Sequence, residues 1–186
     1  MEPLTRVQVL VAMGVTAIVL LLVAKLWLQF GKVPLLAIDW KISDMLLGIA
    51  LGFAITAASS LVYRFWAAYR QSANLYLTLV LKPLVWPDLI WLGLLPGMSE
   101  ELLFRGVMLS AFGLNAFGLI CSSLLFGILH LSSPRQWPYA VWAASVGFLL
   151  GFSVWATGNL LVPILAHITA NLVSSLLWKL GDMQTA

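Results

Sequence analysis

The stretch Val7–Phe30, VQVLVAMGVTAIVLLLVAKLWLQF, contains a single charged side chain, Lys25. About 20 consecutive apolar residues are enough for an α-helix to cross the hydrocarbon core of a bilayer. Arg6 precedes the run, but no small-residue cleavage site follows it and the run is too long for a signal-peptide core. We therefore interpret this stretch as a retained membrane helix.

The whole chain shares this apolar composition. Of its 186 residues, 62% are hydrophobic and 9% are charged, against roughly 25% charged residues in a typical soluble domain. The net charge is only +3, and the basic residues are scattered singly, so no nucleic-acid-binding surface is indicated. The composition predicts an integral membrane protein whose environment is the lipid bilayer and its anionic headgroups.

Glycine, proline and charged residues separate the chain into successive apolar stretches. They predict an all-α fold, a polytopic transmembrane helix bundle of about six spans. The predicted spans are Val7–Phe30, Asp44–Phe65, Val85–Phe112, Ala116–Leu131, Tyr139–Ala156 and Leu160–Leu180, with a connecting segment from Tyr69 to Pro83.

An even number of spans places both termini on the same side of the membrane. The positive-inside rule assigns the more basic side to the cytoplasm, so both termini are expected there. That side would carry Arg6, Arg64, Arg70, Lys82, Arg135 and Lys179, against Lys25, Lys32 and Lys41 on the other.

Ionisable side chains at membrane depth are costly to bury and therefore indicate a functional site. Glu100 and Glu101 are adjacent inside the third predicted span, and the only two histidines, His130 and His167, lie in the fourth and sixth. The other acidic residues lie at the termini or at predicted span ends; they are Glu2, Asp39, Asp44, Asp88 and Asp182.

Helical spacing groups these side chains into faces. Glu101 and Arg105 are four residues apart in the order that favours an intrahelical ion pair, while Glu100 points about 100° away and is left without that partner. His167 and Asn171 have the same spacing, so two hydrogen-bond donors that could stabilise an oxyanion project from one side of the last span.

Three short motifs carry a family resemblance. They are EELLFR from Glu100 to Arg105, FGILH from Phe126 to His130, and HITAN from His167 to Asn171. In this order, on successive helices, they resemble the EExxxR, FxxxH and HxxxN motifs of the CAAX-protease and bacteriocin-processing family of intramembrane glutamic endopeptidases, also called Abi proteins.

The resemblance implies a function for each motif residue. Glu100 and His130 would activate a water molecule, and His167 and Asn171 would stabilise the tetrahedral intermediate. Glu101, Arg105 and Phe126 would support the site. Residues 83–186 would form the catalytic core of four spans, and residues 1–82 would add two N-terminal spans with their connecting segment. The implied mechanism uses no metal and no other cofactor.

The residues themselves leave alternatives open. The glutamate–arginine pair could simply lock the bundle together, in a non-catalytic scaffold or assembly factor within a larger membrane complex. Two histidines and a carboxylate could instead hold zinc, although no HExxH helix is present. The expected substrate is a membrane-associated, possibly lipidated, protein or peptide. The expected location is a cell membrane or a thylakoid.

Overall fold

The computed structural model describes residues 4–185, with side chains described up to Gly181. Glu2 and the side chain of Asp182, both assigned to the chain ends from the sequence, lie outside the described part. The helices are α1 (Arg6–Gly31), α2 (Ile42–Phe65), α3 (Ala67–Leu81), α4 (Leu89–Glu101), α5 (Leu109–Phe112), α6 (Ala116–Leu129), α7 (Trp137–Thr157) and α8 (Leu161–Thr185). Short 3-10 helices, Trp86–Asp88 and Pro134–Gln136, precede α4 and α7, and a π-helix, Leu102–Met108, joins α4 to α5.

The all-α prediction is confirmed, and the span count agrees approximately with about six. In the described chain, α1, α2, Pro134–Thr157 and Leu161–Gly181 are each long and apolar enough to cross a membrane. A fifth span is possible if Ala67–Leu81 and Trp86–Phe112, which are bent by 111° to each other, are counted together, and the 14-residue helix α6 is shorter. The protein is therefore a multi-pass membrane protein.

The segment from Tyr69 to Pro83 was predicted only to connect spans, yet most of it is the helix α3. Trp66 has an extended backbone with φ −113° and ψ 95°, and separates α2 from α3. The side chains of Tyr69 and Ala73 are buried against the bundle. Periodicity was a weak guide here because the segment contains polar and charged residues among its apolar ones.

Helix α8 is held tightly between α2 and α4 by glycines on both neighbours. A Cβ atom on Gly52 of α2 would lie 2.6 Å from the carbonyl oxygen of Ala166, and one on Gly97 of α4 would lie 2.5 Å from Cγ1 of Ile168. The two contacted residues, Ala166 and Ile168, lie immediately before and after His167 on α8. Small residues let membrane helices approach closely, and here they bring α8 within reach of the glutamates of α4.

Polar contacts tie the helix ends together at both ends of the bundle. At one end, Arg6 forms two hydrogen bonds of 2.7 and 2.8 Å with the buried carboxylate of Asp88. At the other, the side chain of Asn159 donates to the Asp39 carbonyl at 2.7 Å and to Asp44 Oδ2 at 2.8 Å. The loop between α1 and α2 is thereby fixed to the turn between α7 and α8.

Candidate active site

The two adjacent glutamates lie at the junction between α4 and the π-helix. Leu109 donates its backbone N–H to the carbonyl of Phe104, five residues earlier, which is the hydrogen-bond pattern of a π-helix. Such interruptions of α-helices are frequent at functional sites. The side chain of Glu101 is fully buried, whereas that of Glu100 is 16% exposed. The neighbours therefore face different surroundings.

Glu101 is the centre of a buried polar cluster. Its Oε1 accepts from Arg105 Nη1 at 2.7 Å, which is the ion pair that the spacing predicts, and from His167 Nδ1, also at 2.7 Å. Arg105 is fully buried; it also donates to the Gly147 carbonyl at 3.0 Å, and its guanidinium lies 4.4 Å from the centre of the Phe126 ring. Glu101 thus connects the π-helix to α8.

Glu100 faces both histidines. Its Oε2 is 3.9 Å from His130 Nε2 and 4.0 Å from His167 Nε2. This oxygen is buried and has no hydrogen-bond partner among the described residues. Both imidazole rings therefore reach the same carboxylate oxygen, His130 from the residue that follows α6 and His167 from α8, which is packed close to α4.

His130 is oriented by the end of its own helix. It follows the last residue of α6, and its Nδ1 lies 2.8 Å from the carbonyl oxygen of Phe126. Because a carbonyl only accepts, Nδ1 carries the proton and Nε2 of the neutral ring is an acceptor. The ring centres of Phe126 and His130 are 4.6 Å apart. Phe126 therefore contacts both His130 and Arg105.

Asn171 lies on α8 one turn after His167, as the spacing predicts. Its hydrogen bond to α4 was not predicted from the sequence. Its Nδ2 is 3.5 Å from the carbonyl oxygen of Leu92. Pro96 lacks the N–H that would normally bond to that carbonyl, so Asn171 partly replaces the missing donor. An amide has two N–H donors, and the second is not used in this contact.

A cavity of about 400 Å³ opens beside these groups and is lined by Glu100, His130, His167 and Asn171. Tyrosine rings form part of its wall: the ring of Tyr139 lies 5.0 Å from that of Tyr76 and 6.2 Å from that of His130. Neither tyrosine was predicted to line the site. Tyr76 lies in the segment expected only to connect spans, and Tyr139 was expected only to begin a span. Hydroxyl groups line another part of the cavity; they belong to Thr56, Ser59, Ser60, Tyr63 and Ser174.

The chemistry available here is proton transfer and hydrogen bonding at a water-sized gap. When both histidine rings are neutral with the proton on Nδ1, three acceptor atoms face one another. They are Oε2 of Glu100 and Nε2 of His130 and of His167. Separations of 3.9 and 4.0 Å are too long for direct hydrogen bonds but can be bridged by water. Among the described residues, no group of three or more histidine, cysteine, aspartate or glutamate side chains is arranged to hold a metal ion.

Fold and site together define a multi-pass helical membrane protein with a buried centre of two glutamates and two histidines. Residues 82–173 match the model of a family described as Type II CAAX prenyl endopeptidase Rce1-like, and this range contains every residue of the three motifs. Residues 82–173, about half of the chain, are thus a domain of this family of CAAX-protease-like membrane proteins.

Two proteins of Bacillus subtilis (strain 168) are similar to this chain. Uncharacterized protein YpbD is 29% identical over 137 residues, which is 72% of this chain and 70% of YpbD. Uncharacterized protein YyaK is 36% identical over 83 residues, which is 40% of this chain and only 27% of YyaK. No solved structure matches this chain.

Proposed function

We propose that this protein is an intramembrane endopeptidase that hydrolyses a peptide bond of a membrane-associated protein or peptide. The observation that carries the proposal is the position of Glu100 Oε2, which lies within 4.0 Å of Nε2 of both histidines beside a large cavity. The family match supports this reaction class. The proposed substrate class includes proteins and peptides that carry a lipid anchor.

In the proposed first step, one water molecule donates its two hydrogens to Glu100 Oε2 and His130 Nε2. Both atoms are acceptors in the geometry described, so the lone pairs of the water oxygen are directed at the substrate carbonyl. Glu100 takes one proton as the oxygen bonds to the carbonyl carbon. The protonated Glu100 then delivers that proton to the amide nitrogen as the C–N bond breaks, which leaves one carboxyl and one amine product.

His167 and Asn171 would bind the oxygen on which negative charge develops. A neutral His167 with its proton on Nδ1 has only a lone pair at Nε2, so it must be an imidazolium to donate from Nε2. Glu101, which accepts from Nδ1 at 2.7 Å, would stabilise that imidazolium. The cluster of Glu100, Glu101, Arg105 and protonated His167 would then contain two negative and two positive charges.

The proposed orientation places the Arg6 end of the bundle on the cytoplasmic side. Two lysines expected on that side are close together, because Lys179 Nζ lies 3.4 Å from the Lys82 carbonyl oxygen. Trp66 and Trp137, each two residues after an arginine expected on that side, also contact each other, with ring centres 5.7 Å apart. Residues 83–186 remain the proposed catalytic core. A location in a cell membrane or a thylakoid, and membership of a larger complex, stay predictions.

Peptidase activity can be tested on purified protein in liposomes with a synthetic library of membrane-associated peptides, some of them lipidated, in water enriched in ¹⁸O. Attack by water predicts one ¹⁸O atom in each newly formed carboxyl group. The Glu100→Ala variant should give no product while still inserting and folding. If wild-type protein cleaves nothing, the non-catalytic scaffold alternative is favoured. If Glu100→Ala cleaves as well as wild type, the protein is a peptidase but Glu100 is not its base.

A further inference from the structure

A second, smaller cavity is also lined by Glu100. It is a groove of about 220 Å³ between α1 and the α3–α4 region, and we call it the α1 groove. It shares Tyr76, Val80, Leu92, Pro96 and Glu100 with the larger cavity. Glu100 therefore lines both cavities, and a substrate bound against it lies next to both.

The α1 groove differs chemically from the larger cavity. Apart from Glu100, no charged side chain lines it among the described residues. The hydroxyl of Ser99, which also lines it, is already bonded to the Leu95 carbonyl of its own helix at 2.7 Å. Helix α1 contributes five lining residues, mostly apolar, and Leu4, which precedes the helix, adds a sixth; the five are Val9, Ala12, Met13, Thr16 and Ala17.

From this arrangement we infer that the α1 groove binds one apolar side chain of the substrate immediately next to the scissile bond. The inference rests on the proposed peptidase function and adds a specificity site to it. A peptide backbone carries an N–H and a carbonyl at nearly every residue, and burying them without partners is costly. The hydroxyl-lined larger cavity can satisfy such groups, whereas the α1 groove offers them few partners, so a side chain is its occupant.

The inference also gives the first span a function. Helix α1 lies outside residues 82–173, the range that matches the family, so its groove-lining side chains can differ without altering the motif residues. Ala12 and Thr16 are exposed on α1 while also lining the groove. A larger side chain at either position would fill the groove without entering the packed core.

The test compares two substitutions on neighbouring positions of α1. Ala12→Phe fills the groove, and Val11→Phe is the matched control, because Val11 is 57% exposed and does not line the groove. Each protein is reconstituted in liposomes with a library of end-blocked peptides in which every position samples alanine, serine, leucine and phenylalanine. Mass spectrometry then gives the preference at each position around the cleaved bond.

Wild type should prefer leucine or phenylalanine at one position adjacent to the cleaved bond. Ala12→Phe should reduce cleavage of those peptides relative to alanine peptides by at least about 10-fold, because even one methylene in an apolar pocket changes discrimination by about 10- to 200-fold. Preferences at other positions should be retained. Val11→Phe should match wild type in both profile and thermal stability.

Three results would overturn the inference. An unchanged profile for Ala12→Phe would show that the groove binds no substrate side chain. Equal shifts in Ala12→Phe and Val11→Phe would indicate a general effect on α1. If wild type cleaves no peptide at all, the proposed function itself fails and the inference falls with it, an outcome distinct from the other two.

Discussion

His167 is bonded to Glu101, the glutamate that the helical spacing assigns to Arg105, and not to Glu100. Its Nδ1 lies 2.7 Å from Glu101 Oε1, the same oxygen that accepts from Arg105 Nη1. The buried ion pair therefore does more than hold two turns of one helix together. It also fixes the orientation of the His167 ring on α8, and so the direction of the Nε2 atom that faces Glu100.

Removing Arg105 should destabilise the protein strongly. In Arg105→Met, Glu101 would lose the guanidinium of its fully buried ion pair, and breaking a buried pair in this way costs about 3–5 kcal/mol of unfolding free energy. Thermal unfolding in detergent measures the loss. Arg64→Met is the matched control, because Arg64 is exposed and its replacement should cost only about 0–1 kcal/mol. Equal stability of the two variants would contradict the prediction.

The double variant Glu101→Leu with Arg105→Met separates stability from catalysis. No orphan charge remains in it, so much of the stability lost in Arg105→Met should return. Catalysis should stay well below wild type, because His167 Nδ1 would have lost its acceptor at Glu101. Peptide cleavage and thermal unfolding are measured on the same samples. Wild-type activity in the double variant would show that Glu101 does not orient His167.

Gly97 should not tolerate a side chain. A Cβ there would lie 2.5 Å from Ile168 Cγ1 and 3.0 Å from the Ile168 backbone nitrogen, so α8 would have to move away from α4. We expect Gly97→Ala to cost about 1–3 kcal/mol through overpacking and to lower activity by displacing His167. Gly14→Ala on α1 is the control, since nothing lies within 4 Å of its added Cβ. It should be neutral or stabilising in the same unfolding assay.

Asn159 should be important for stability although it is far from the site. Its side chain accepts from the backbone N–H groups of Asp39 and Leu161, both at 3.0 Å, and donates to Asp44 Oδ2. Asn159→Ala removes the partner of the buried Leu161 N–H and of the part-buried groups of Asp39 and Asp44, at about 1–3 kcal/mol for each group that finds no water. Asn74→Ala, which removes one exposed contact with Tyr63, should change the unfolding temperature little. A similar small change for Asn159→Ala would contradict the account.

Chelators should leave activity intact if hydrolysis depends on Glu100 without a metal. The prediction is checked by measuring cleavage in liposomes before and after treatment with a strong chelator, together with the metal content of the purified protein. One zinc ion per chain, lost with activity on chelation and restored with it on re-addition, would support the zinc alternative instead.

The sequence predicted the parts of this structure that depend on local periodicity. The membrane character, the helical class and the Glu101–Arg105 pair follow from composition and from a spacing of four residues. The bond from His167 to Glu101 joins positions 66 residues apart, and it depends on how closely the glycines let α8 approach α4. Neither the approach of α8 to α4 nor the π-helix after Glu101 can be predicted from one sequence alone.

The Asn171 contact shows the same limit in one residue. Its position on the His167 face of α8 could be predicted from the spacing. Its use as a donor to the Leu92 carbonyl could not, because that requires knowing which face of α4 lies opposite. Pro96 signals only that one carbonyl in its helix lacks a donor.

The most direct test of the central claim is the rate at which Glu100→Gln cleaves a peptide that wild type cleaves, in the same liposomes. Glutamine keeps the shape of the side chain but cannot take a proton from water, and general-base catalysis is worth about 10²- to 10⁴-fold in rate. We predict a loss of at least about 100-fold, with insertion and thermal stability equal to wild type. A Glu100→Gln variant that is folded and cleaves at the wild-type rate would contradict the assignment of Glu100 as the base.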